Sequence, residues 1–163
     1  MEVFETIKNR RSIRAYKTER IPAEKIEKLM ETARLAPSAA NRQNWKFIVV
    51  DDKEILKTLT PACNNQPSVG SSSHVIAGIA DPTQKWHQVD VAIALEHIVL
   101  QAVELGLGTC WIGAFNEEEV KKILKVPQEK KVVALLTVGY PAESPSAKPR
   151  KEISEIVAYN EYK

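Results

Sequence analysis

Arg10, Arg11, Ser12 and Arg14 stand within five residues near the start of the chain, and Lys148 and Arg150 form a second basic pair near its end. Guanidiniums, a hydroxyl and an ammonium together offer bidentate and point-charge donors to a phosphate dianion, a load that one partner alone rarely carries. Taken alone, the amino-terminal cluster reads better as a solvated patch that complements the C-terminal dipole of a helix. Between the two clusters lie APSAANRQNW, residues 36–45, and GLGTCWIGAF, residues 106–115. In the first, Ser38, Ala39 and Ala40 keep the wall low after a helix stop, and Asn41 presents both a donor and an acceptor; the plain alternative is a helix-to-strand loop. In the second, the glycines follow a helix and precede a strand, the reverse of a dinucleotide-binding turn, and the third glycine is misplaced.

The elements that would position these residues follow from periodicity. Val3, Phe4 and Ile7 recur at helical spacing and deliver the chain into the arginine cluster. Pro22 suits the first position of a helix carrying Ile26, Leu29, Met30 and Ala33, and Pro37 stops it. Residues 45–50 read as a strand, with Asp51 and Asp52 able to cap a short helix through Leu56. Residues 63–73, rich in asparagine and serine, read as a loop, and residues 74–80 as a second strand. Residues 91–105 are apolar nearly all the way round, so the predicted helix must be buried on every side, which in a domain this small needs a second subunit. Residues 109–115 and 132–140 supply two more strands, and Asn116 with Glu119 opens a helix between them. From Pro141 onward the chain has no continuous apolar face and must pack on something already built.

With 163 residues, 44% apolar and 27% charged, the chain fits one domain, residues 1–163, with a real core. The net charge of +2 is too small to imply a nucleic-acid partner by itself. The two cysteines, Cys63 and Cys110, lack metal or redox spacing, and His74, His87 and His97 lack ligand spacing, so no metal is expected. Neither a leader segment nor a membrane span is expected, which points to a cytoplasmic protein.

In their order, the four segments resemble the FMN-dependent nitroreductase superfamily over almost the whole chain. The resemblance implies an α+β fold, a nitroreductase-like mixed sheet flanked by helices, in an intertwined homodimer with two flavin sites at the interface. A tail from about 141 to 163 would cross onto the partner subunit as an added edge strand. By position, Arg10, Arg11, Ser12, Lys148 and Arg150 would surround the FMN phosphate, and Arg14 would lie beside the pyrimidine edge of the ring. Ser38, Ala39, Asn41, Asn65 and Gln66 would meet the ring, and the backbone of Gly113 and Ala114 would pass its N5. Two positions depart from the family: Asn44 replaces a usual proline, and Ser68 stands where relatives often carry lysine, so that restoring a lysine is expected to raise the flavin potential.

The implied activity is NADH- or NADPH-driven reduction of a small-molecule oxidant such as a nitroaromatic, quinone or enone, by alternating use of one pocket. No side-chain acid or base is assigned. The alternatives are an FMN storage or sensing protein without turnover, and a basic binding module, which lacks an aromatic platform among its basic residues.

Overall fold

The computed structural model describes residues 2–162. After helix α1 (Val3–Asn9) the chain runs through the arginine cluster to helix α2 (Ala23–Arg34), which begins directly after Pro22. Strand β1 (Trp45–Val50) and helix α3 (Lys53–Ala62) follow, then helix α4 (Pro67–Ser71) and strand β2 (His74–Ala80). The long helix α5 (His87–Glu104), strand β3 (Gly108–Ile112), helix α6 (Glu117–Leu124) and strand β4 (Lys131–Gly139) complete the body. A single turn, α7 (Ile153–Ile156), lies in the tail.

The strands form one sheet in the order β1-β2-β4-β3. All three ladders are antiparallel, which corrects the expected mixed sheet. The one parallel pairing among the described residues is the isolated bridge between Ser12 and Thr109. Successive strand residues face opposite sides, so β4 sends Leu136 into the layer of α2 and α5, with Leu29, Leu95 and Ile98, while Leu135 meets Leu56, Leu59 and Val69 on the other side. Fully burying side chains of this size contributes ~1.5–3 kcal/mol each. Central strand β2 is buried along its whole length, as a strand covered on both faces must be.

Four boundaries differ from the sequence reading, each for a local reason. Helix α3 continues to Ala62 because the Asp52 carboxylate accepts from the Glu54 and Ile55 amides and Leu59 and Ala62 extend the buried stripe. The presumed loop 63–73 contains α4, whose first residue is Pro67 and whose Ser68 and Val69 are buried. Helix α5 starts at His87, a turn earlier than its apolar run. Strand β3 stops at Ile112, where pairing with β4 ends short of the irregularity between Gly78 and Ile79 in the neighbouring ladder. Helix α5 buries Val91, Ala94, Leu95, Ile98, Val99 and Ala102 on one side, while Ile93, Leu100 and Val103 on the other remain only half-buried within one chain.

The arginine segment is docked by two glycines. A Cβ at Gly108 would stand 2.6 Å from Ile13 Cγ1, and one at Gly139 would stand 2.6 Å from Tyr16 Cδ1. The Ile13 amide donates to the Thr109 carbonyl at 2.9 Å. The Tyr16 hydroxyl donates to the Ile13 carbonyl at 2.6 Å and lies 2.7 Å from Thr137 Oγ1. Gly108→Ala is expected to cost ~1–3 kcal/mol by overpacking against backbone-anchored Ile13, read as a lowered urea midpoint.

Candidate functional site

Arg10, Ser12 and Arg14 lie along the outer edge of β3, held by the Ser12 bridge to Thr109 and by Ile13 beneath Gly108. Among the described residues, neither the Arg10 nor the Arg14 guanidinium donates to a protein acceptor or forms an ion pair. Two guanidiniums with no side-chain partner near the same strand edge are available to an anionic ligand. Their field, with that of Glu143, reaches Cys110 on β3: burial pushes the thiol up, Arg14 opposes this, Glu143 adds to it and Arg10 opposes it again. Burial holds Cys63 at about 11, and it also raises the Tyr16 phenol. These groups stay protonated at neutral pH and offer no nucleophile.

Arg11 departs from the expected clamp. Its Nη1 donates to the Lys8 carbonyl at 2.7 Å and the Arg10 carbonyl at 2.8 Å, so the guanidinium caps the end of α1. Arg14 is anchored through its backbone instead. The Glu143 carboxylate accepts from the Arg14 amide at 2.5 Å and the Ala15 amide at 3.2 Å, tying the start of the tail to the arginine segment. Glu143 carries no sequence motif and was not among the expected site residues. Farther along the tail, Arg150 Nη1 donates to the Lys148 and Pro149 carbonyls, and no hydrogen bond among the described residues brings Lys148 or Arg150 to Arg10.

Strand β3 runs from this cation cluster to Gly113 and Ala114, both exposed, and a Cβ at Gly113 would meet nothing within 4 Å. Gln66 joins this end, donating from Nε2 to the Ala114 carbonyl at 3.2 Å. That bond occupies the donor expected to reach a ring. Asn64 and Asn65 hold left-handed backbone, at φ 54° and 55°, and Asn65 is exposed beside Gln66. Ser68 is only 3% exposed. Burial at this position means that a lysine would have to displace neighbouring groups before its charge could approach a flavin.

Ser38, Ala39 and Asn41 lie elsewhere. They form a 3₁₀ turn, Ala39–Asn41 preceded by Ser38, that leads into β1. Strands β1 and β3 occupy opposite sheet edges, ~14 Å apart at ordinary strand spacing, with β2 and β4 between them. The expected ligands thus fall into two groups: Arg10, Ser12, Arg14, Asn65, Gln66, Gly113 and Ala114 toward the β3 edge, and Ser38, Ala39 and Asn41 beside β1. The first group fits FMN on chemical grounds: a guanidinium free of protein partners at Arg10 for the phosphate, another at Arg14 for the electron-rich edge of the ring, and an open, side-chain-free wall at Gly113 for a flat ring.

Comparison with known proteins identifies the family. The model of the Nitroreductase family matches residues 7–81 and 74–140. The solved structure of an FMN-dependent nitroreductase from Clostridium difficile superposes with a TM-score of 0.90 at 33% identity, covering 98% of this chain and 99% of that one. A nitroreductase family protein from Clostridium novyi superposes at 0.84 with 38% identity, covering 91% and 89%. An FMN reductase [NAD(P)H] from Bacillus subtilis is 30% identical over 173 residues, 91% of this chain and 70% of its own length. With a family match across the body of the fold and relatives covering nearly the whole chain, this protein belongs to the Nitroreductase family.

Proposed function

We propose that this FMN-dependent NAD(P)H oxidoreductase works as a homodimer in which each flavin is held by the β3 edge of one subunit and the Ser38–Asn41 turn of the other. The observation that carries this reading is the division of the family's ligand positions between opposite edges of one sheet. A second copy supplies the missing half without distorting either. Its occurrence is also supported by the half-buried outer side of α5 and by exposed Val3, Phe4 and Ile7 on α1.

The tail fits the same arrangement. Ile153, Ile156, Tyr159 and Tyr162 are all exposed, whereas β1 is an edge strand bordered by a groove of about 620 Å³ that includes Trp45, Ile48, Leu124 and Pro127. An open strand edge with apolar clefts beside it suits an extended segment from another copy.

Bound FMN would supply hydride exchange between NADH or NADPH and a small oxidant. The chain's part is binding and electrostatics. Arg10 and Ser12 hold the phosphate, with Lys148 and Arg150 completing the clamp. Arg14 sets positive charge beside the ring, where it favours the reduced, more negative form. Gly113 and Ala114 let the ring approach the backbone of β3. Because β2 and α5 are joined only by residues 81–86, nothing in this segment roofs the site, which favours a broad range of acceptors.

Purified protein is expected to be yellow, to contain FMN and not FAD, and to oxidise NADH or NADPH with an added nitroaromatic or quinone. A yellow protein that oxidises neither nicotinamide would instead be the storage or sensing protein, and a colourless one that takes up no FMN would overturn the assignment of the site.

A further inference from the structure

We infer that Asp90 is a positioning residue for the flavin site, one that shapes the Ser38–Asn41 turn before any ligand arrives. The inference rests on the composite site proposed above. Asp90 lies in the first turn of α5 and is 8% exposed. Its Oδ1 accepts from the Ala39 amide at 3.0 Å, across fifty-one residues of sequence.

The turn needs such a tie. Ala40, Asn41 and Gln43 hold φ values of 51°, 52° and 50°, the left-handed region that residues with a Cβ rarely occupy. Its other hydrogen bonds close on themselves: Asn41 N donates to Ser38 O at 2.9 Å, Arg42 N to Ala39 O at 3.2 Å, and Gln43 N to Ser38 Oγ at 2.9 Å. Among the described residues, the bond to Asp90 is the one hydrogen bond from residues 38–43 to the body of the fold. A carboxylate on a rigid helix therefore fixes where Ser38, Ala39 and Asn41 stand relative to α5, the helix whose outer side faces the second copy.

An ordinary structural role for Asp90 is to complement the N-terminal dipole of α5, and the two roles separate by substitution. A dipole role needs the charge, while positioning needs only the acceptor oxygen. Asp90→Asn should thus bind FMN within about threefold of wild type, and Asp90→Ala should bind about tenfold more weakly. Riboflavin should weaken by the same factor, since the turn meets the ring and not the phosphate. Ala39→Pro removes the donor from the other side. Ser38, at φ −140° and ψ 158°, already holds the extended conformation that precedes proline well, so this variant should reproduce the loss without touching α5.

Affinities are read by flavin fluorescence quenching on the apo-dimers, with far-ultraviolet circular dichroism as the check on folding. Co-expression of Arg10→Ala and Asp90→Ala copies under separate tags adds a test of geometry. The mixed dimer contains one doubly damaged site and one intact site, so half of its sites should regain wild-type affinity. Asp90→Asn as weak as Asp90→Ala, Ala39→Pro binding like wild type, or loss of FMN but not riboflavin would each overturn the inference, whereas no recovery in the mixed dimer would overturn the two-subunit site on which it rests. Wild-type protein that takes up no FMN would overturn the composite site itself, whereas wild-type binding with Asp90→Ala unchanged would overturn only the role of Asp90.

Discussion

Arg10→Ala should bind FMN about tenfold to a hundredfold more weakly than the parent while riboflavin affinity changes by less than threefold. Arg10 sits at the end of α1 with no protein acceptor among the described residues, so its guanidinium is available to a ligand without first breaking an internal bond. One charge-assisted hydrogen bond lost at such a position costs ~1.5–3 kcal/mol, which corresponds to that range of dissociation constants. Riboflavin lacks the phosphate and isolates the effect. Arg11→Ala is the internal control: its guanidinium caps α1, so removing it should lower thermal stability slightly and leave the FMN-to-riboflavin ratio unchanged. Equal losses of both ligands in Arg10→Ala would remove the residue from the phosphate site.

How much of this was legible in the sequence differs between the fold and the site. Strands β1, β2 and β4 and helices α2 and α5 announced themselves because burial on one or both faces leaves a strong apolar period, as in residues 45–50 and 74–80. Helix α4 did not, since five residues make little more than one turn and Pro67, Ser68 and Gly70 look like loop punctuation. The shared edge of β3 and the arginine segment was not legible either. It depends on Ile13 and Tyr16 packing against Gly108 and Gly139, contacts more than ninety residues apart that no local pattern reports. For the same reason the roles of Glu143 and Asp90 were missed: each is an acidic residue among many, and only its backbone partners, Arg14 and Ala15 or Ala39, mark it out. Arg11 shows the converse: residue type and order placed it near the flavin, but its own helix turns the side chain toward the α1 carbonyls.

At the proposed ring end of the site, Arg14 and Glu143 should shift the flavin potential in opposite directions. Two-electron reduction places negative charge on the pyrimidine side of the ring, so a guanidinium there stabilises the reduced form more than the oxidised one. Arg14→Gln should therefore lower the midpoint potential even where FMN remains bound. Glu143 holds its carboxylate against the Arg14 and Ala15 amides, bringing a negative charge to the same segment, and Glu143→Gln keeps an acceptor oxygen while removing that charge. Its potential should rise. A differential stabilisation of about 1.4 kcal/mol equals ~30 mV for a two-electron couple, within reach of dye equilibration, and Glu143→Gln should give the smaller shift because Glu143 is solvent-exposed and screened. Raising ionic strength should shrink the Glu143 shift more than the Arg14 shift, since a ring packed over Gly113 shields the guanidinium facing it from salt. Shifts of the same sign in the two variants, or a parent potential retained by Arg14→Gln, would place the pyrimidine edge away from residues 14 and 143 and move the ring to another stretch of the β3 edge.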